Sequence, residues 1–103
     1  MDTIQTIKAL SNETRFKLLE WLKHPEEHFD PQKHMPSTCD FQGGVCVGSI
    51  SEKTGLAQSV VSGYLVKLQK AGLLESRRSG QWTYYRRNEE GIARFIEQLK
   101  KEL

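Results

Sequence analysis

The sequence holds 103 residues with a mass of 11.8 kDa, room for one domain over 1–103 and not for a second. Hydrophobic residues make up 37% and charged ones 27%, which describes a small core under a well-solvated surface. No apolar run exceeds three residues, so a membrane span is excluded, and polar residues interrupt the first segment too often for a secretory signal. Two cysteines cannot build a secreted disulfide framework, and the expected setting is the reducing cytoplasm. A core of this size favours completion by oligomerisation.

The net charge of +2 is unevenly placed. Residues 1–55 sum to −2, residues 56–87 to +5 and the last sixteen to −1. The basic block consists of Lys67, Lys70, Arg77, Arg78, Arg86 and Arg87 against Glu75 alone. Such a block is either a solvated face or a surface aimed at a polyanion.

Taken in chain order, Ile4, Ile7 and Leu10 give residues 2–10 one apolar stripe at helical spacing. Ser11 is placed to cap a second helix, with Glu13 in its first turn and Phe16, Leu18, Leu19 and Leu22 as its buried face. That helix must stop at His24-Pro25. Residues 24–44 collect all three prolines, all three histidines and Gly43-Gly44, and read as a long loop.

Order resumes at Val45. Val47 and Ile50 open a short helix that ends at Gly55, a natural left-handed cap. Val61, Leu65 and Leu68 recur at i, i+4 and i+7 in the next helix, which Gly72 ends. Leu74–Arg78 and Gln81–Arg87 flank Ser79-Gly80 and read as a β-hairpin. Asn88 can cap a last helix striped by Ile92, Phe95, Ile96, Leu99 and Leu103. The expected architecture is α+β and mostly helical, about five helices with a two-stranded wing.

Helix, tight turn, helix and basic hairpin is the layout of a winged helix-turn-helix. A helix fits the major groove, and its exposed N-terminal residues reach base edges while its apolar side holds the domain. With Val61, Leu65 and Leu68 inward, Gln58, Ser59, Ser62, Gly63 and Tyr64 are expected outward, with Lys67 toward phosphate. The Gln58 amide suits a bidentate pair with adenine. Arg77, Arg78 and Gln81 surround the hairpin tip, where backbone or minor-groove contact is expected.

The stretches "SNETRFKLLEWL" and "GVCVGSISEKTGLAQSVVSGYLVKLQKAGLLESRRSGQWTYYR", with the amphipathic last helix, resemble the ArsR/SmtB family of dimeric bacterial repressors. The resemblance implies a homodimer built from the first and last helices, with Ile4, Ile7, Ile92, Phe95, Ile96 and Leu99 at its interface, and a palindromic operator in double-stranded DNA. The chain departs from the family pattern at several places. Ser62-Gly63-Tyr64-Leu65 stands where Ser-His-His-Leu is usual, Ala57 replaces a common Ser cap, and Arg87 replaces an apolar strand residue. The family's third-helix Cys-Val-Cys core is here Cys46-Val47-Gly48, which lacks the second thiolate. The early positions of its last-helix zinc site correspond to Glu89 and Gly91, and that helix has no histidine.

Three readings of the loop and its cysteines stay open. His24, His28, His34, Cys39 and Cys46 are zinc or copper ligand types without a tight ligand spacing. Cys39 and Cys46 are separated by a flexible stretch suited to a reversible disulfide, and Cys46 lies near a helix start. The third reading makes Cys46 a small buried hydrophobe and the rest loop residues. No cofactor follows from the sequence. An enzyme is not expected, because nothing scaffolds a nucleophile, phosphate loop or carboxylate pair. The rival class is a winged helix that binds proteins and not DNA, which has no need of Arg77-Arg78 beside an outward Gln58 and Ser62.

Overall fold

The computed structural model describes residues 2–32 and 40–103. His34 and Cys39 of the expected sensing set lie outside those residues. The chain runs α1 (Thr3–Leu10), α2 (Glu13–Lys23), α3 (Pro25–His28), β1 (Val45–Cys46), α4 (Val47–Thr54), α5 (Gln58–Lys70), β2 (Leu74–Ser79), β3 (Trp82–Arg87) and α6 (Glu89–Glu102). The strands form one antiparallel sheet in the order β1-β3-β2.

Caps set most of the boundaries. Asp2, Asn12 and Asn88 each accept a first-turn backbone N–H with the side chain, from Ile4, Arg15 and Gly91. Asn12, not Ser11, therefore caps α2. The Ser11 hydroxyl instead donates back to the Ile7 carbonyl at 2.7 Å and closes α1. Gly55 and Gly72 have φ of +74° and +85°, and each ends its helix in the left-handed region. Ala57 gives α5 no side-chain cap, as its methyl group requires.

Two elements differ from the sequence expectation. The stretch 24–44 is not loop throughout, because Pro25 starts one helical turn closed by the Phe29 N–H on its carbonyl at 2.9 Å. Proline is pre-set for a first helical position, and Glu26 and Glu27 suit the first turn. The sheet has three strands and not two, since Val45 pairs with Tyr85 and Cys46 with Tyr84.

The core gathers Leu18, Leu19 and Leu22 of α2, Ile50 of α4, Val61, Leu65 and Leu68 of α5, and Leu74 and Tyr85 of the sheet. Phe16 is exposed, because its angle on α2 falls away from the face that Leu18, Leu19 and Leu22 share. A second, smaller cluster joins Phe41, Cys46 and Tyr84, with Trp82 against it.

The last helix is seated by a close backbone approach. A Cβ at Gly91 would stand 2.0 Å from the Gly72 carbonyl oxygen. The same oxygen accepts from Asn88 Nδ2 at 3.1 Å. Gly91→Ala should therefore cost about 1–3 kcal/mol. A Cβ at Gly63 would meet nothing within 4 Å, so Gly63→Ala should stabilise α5 by about 0.5–1 kcal/mol. Thermal melts followed by circular dichroism check both signs, and equal shifts would contradict the packing described.

Candidate nucleic-acid interface

The turn between α4 and α5 is held by its own side chains. Ser51 Oγ donates to the Leu56 carbonyl at 2.7 Å, Thr54 Oγ1 donates to that of Ser51 at 2.9 Å, and the Leu56 N–H donates to Thr54 Oγ1 at 3.1 Å. Beyond it, Val61, Leu65 and Leu68 are fully excluded from solvent, which fixes the rotation of α5 about its axis. Gln58, Ser59, Gly63 and Lys67 are then exposed, and Ser62 is half-buried on one flank. Leu56, just before this first turn, and Val60, within it, are also exposed, and no apolar stripe in the sequence marks them.

Tyr64 is not on the open face. It lies three residues from Val61, close enough in helical angle for its ring to pack against the core. The Arg15 guanidinium covers that ring at 5.3 Å and donates to the Ala9 carbonyl at 2.6 Å and the Lys8 carbonyl at 3.3 Å. One cation thus ties the end of α1 to α2 and α5.

The wing divides its basic residues between its two faces. Arg77 pairs with Tyr84 and Glu75 with Arg86, so these four share a face, and Arg78, paired with Thr83, points to the other. Phe41 lies buried on the first face, with the Arg86 and Arg77 guanidinium groups 4.1 and 5.2 Å from its ring centre. Arg77 also donates to the Asp40 carbonyl at 2.8 Å, and Arg86 to the Gln42 carbonyl at 3.1 Å and Glu75 at 2.6 Å. Arg77, expected at the DNA backbone or minor groove, makes these contacts while staying exposed. Arg78 and Gln81 are exposed at the hairpin end, where Gly80 takes a φ of +61°.

Arg87 explains its own departure from an apolar strand residue. It donates to the Leu19 carbonyl at 3.1 Å and to Glu89 at 2.8 Å, joining β3 to α2 and α6.

The exposed apolar residues of α1 and α6 lie on neighbouring helices, which Thr3 Oγ1 and Glu102 join at 2.7 Å. Ile4 is 55% and Ile96 47% exposed, with Ile7 exposed and Leu99 half-buried. Phe95 is only 9% exposed and Ile92 packs on the core. Phe95 is thus covered within the chain, while Ile92, like Leu99, is half-buried.

Of the sensing residues, Cys46 is a buried free thiol, with Sγ 3.2 Å from Ser49 Oγ and its backbone N–H donated to Gln32 Oε1 at 2.9 Å. His24 stands exposed, 3.8 Å from both Glu26 and Glu27. Among the described residues, no cluster of three metal-ligating side chains includes His28 or Cys46. The position corresponding to an early ligand of the last-helix zinc site is Gly91, where packing on Gly72 admits no side chain. The residues present do not fit a metal there. No helix among the described residues is long and apolar enough to cross a membrane.

The family model described as "Bacterial regulatory protein, arsR family" matches residues 41–76, from Phe41 through α5 into β2. The chain is 43% identical over 103 residues to the HTH-type transcriptional regulator YbzH of Bacillus subtilis (strain 168), covering 100% of both chains. In structure it is similar to the homodimeric winged helix-turn-helix DNA-binding domain Mb0332 from Mycobacterium bovis, with a TM-score of 0.64 and 29% identity over 94% of this chain and 73% of that one. A possible transcriptional regulator for arsenical resistance shares the fold, with a TM-score of 0.69 and 21% identity over 94% and 82% of the two chains.

One ionisable group reports on the junction below the wing. The hydrogen bond from Arg87 holds the Glu89 carboxyl below its ordinary value of 4.5, burial opposes this, and the charges of Arg87 and Lys23 add to the lowering. The folded state thus favours the carboxylate. Its contribution is present above the ordinary value and is lost as pH falls through the lowered one. Glu89→Gln should lower thermal stability near neutral pH, and the gap from the parent should narrow as the pH falls below the ordinary carboxylate value and close once Glu89 is protonated in the folded state. A gap that persists in acid would show that Glu89 acts without its charge.

Proposed function

The chain belongs to the arsR family of bacterial regulatory proteins, and on that premise we propose that it is a homodimeric transcriptional repressor reading a palindromic operator. The observation that carries this reading is the exposed polar first turn of α5, Gln58 and Ser59, set outward by three fully buried residues on the same helix. A helix presented in this way enters the major groove with its N-terminal side chains on base edges. Gln58 pairs with adenine, Ser59 and Ser62 donate to base or phosphate, and Lys67 meets the backbone. Arg78 and Gln81 carry the wing onto the flanking duplex. The protein works in the cytoplasm, where its DNA lies.

The dimer is supported by the apolar residues left open on α1 and α6, namely Ile4, Ile7 and Ile96, with half-buried Leu99 beside them. It is also supported by the homodimeric description of the Mycobacterium bovis domain. Two-fold symmetry places one α5 on each half-site, and half-sites then recur one helical turn apart. A winged helix serving only protein contact is not favoured, since it gives no role to an open Gln58 beside exposed Lys67 and Arg78 that have no acidic partner among the described residues.

Fluorescence anisotropy on the DNA upstream of the protein's own gene, with a random duplex beside it, tests the assignment. Gln58→Ala should relax preference at one base position, a loss of about 1–3 kcal/mol on the operator alone. Arg78→Ala should weaken both duplexes alike and lower the salt slope by about 0.9 per protomer. Equal losses on both duplexes for Gln58→Ala would remove its base-reading role.

A further inference from the structure

A groove of about 520 Å³ runs between α1 and the C-terminal half of α5. Lys8 of α1 and Lys67 and Lys70 of α5 line it together with Ala9, Gly63 and Val66, and a Cβ at Gly63 would meet nothing within 4 Å. No carboxylate lines it, and none of the three lysines makes an ion pair among the described residues. Resting on the DNA-binding reading above, we propose that this groove takes backbone phosphates of the operator, which makes α1 part of the DNA interface.

Helix geometry places it there. If Gln58 touches base edges, Lys67 lies about 14 Å and Lys70 about 18 Å further along α5 at 1.5 Å per residue. The major groove is about 12 Å wide, so both lysines have passed its floor and stand at the sugar-phosphate wall. Lys8 faces the same wall from the neighbouring helix.

The competing role for these lysines is to neutralise helix C-termini, since Lys8 sits in the last turn of α1 and Lys67 and Lys70 in that of α5. Two helix ends bring about −0.5 charge each. Three lysines exceed that, and the groove keeps a net positive charge.

The test is the salt dependence of binding to a mixed-sequence 24-base-pair duplex, with thermal melts of each variant. Lys8→Gln and Lys70→Gln should each lower the slope of log K against log salt by about 0.9 per protomer, with melting unchanged. Lys101→Gln, on the exposed end of α6, should leave the slope alone. Unchanged slopes with lowered melting in the groove variants would assign the lysines to the helix ends and overturn the proposal. An equal fall in Lys101→Gln would replace the groove with diffuse charge and overturn it too. A parent chain that binds no duplex at low salt would remove the DNA-binding reading itself. Slopes that fail to fall while the parent binds remove only the groove.

Discussion

The burial of one stripe on α5 is the constraint from which the interface follows. Val61, Leu65 and Leu68 are wholly enclosed, and they set which side chains the helix offers to solvent. Truncating a buried leucine costs about 2–5 kcal/mol, a large part of the 5–15 kcal/mol that holds a small domain together. The same enclosure draws the Tyr64 ring under Arg15, whose other contacts grip the last carbonyls of α1. Rotation of α5 is therefore fixed from below by the core and from the side by a single guanidinium. Gln58 and Ser59 in the first turn of α5 make no side-chain hydrogen bond or ion pair among the described residues.

The basic block of residues 56–87 divides into two populations once the fold is known. Arg86 and Arg87 turn inward, and Arg77, though exposed, also makes contacts within the chain; together the three touch Phe41, Asp40, Gln42, Glu75, Leu19 and Glu89. They brace the wing against the loop that precedes β1 and against α2 and α6. Lys67, Lys70 and Arg78 have no acidic partner among the described residues and face outward. The inward set gives a rigid wing, and the outward set supplies the field that a polyanion meets.

What the sequence disclosed follows from how local each signal is. The α5 stripe, the Gly55 and Gly72 ends, the Asn88 cap and the hairpin all depend on residues a few positions apart, and each stands where its pattern predicts. The two-residue strand β1 has no periodicity of its own and exists only because Tyr84 and Tyr85 are there to pair with it. Phe16 and Phe95 show that hydrophobicity marks a face only to within one helical position, since one proved open and the other closed. The contact of Arg77 with Phe41 joins residues distant in sequence and depends on a strand register that no single-residue signal encodes. The outward exposure of Gln58, Ser59 and Lys67, by contrast, was implicit in the α5 stripe alone.

Gly91 connects these layers. Where the family pattern has a metal ligand, this chain has a residue whose missing side chain lets α6 rest on the Gly72 carbonyl just past the end of α5. Asn88 strengthens the junction, with its backbone N–H on the Leu73 carbonyl at 2.9 Å and its amide on Gly72, while the Leu73 N–H returns to Leu68 at 3.0 Å. The helix carrying Ile96 and Leu99 and the helix carrying Gln58 are thus joined through one turn of backbone. A packed junction of this kind transmits displacement, because interiors are dense and resist local compression.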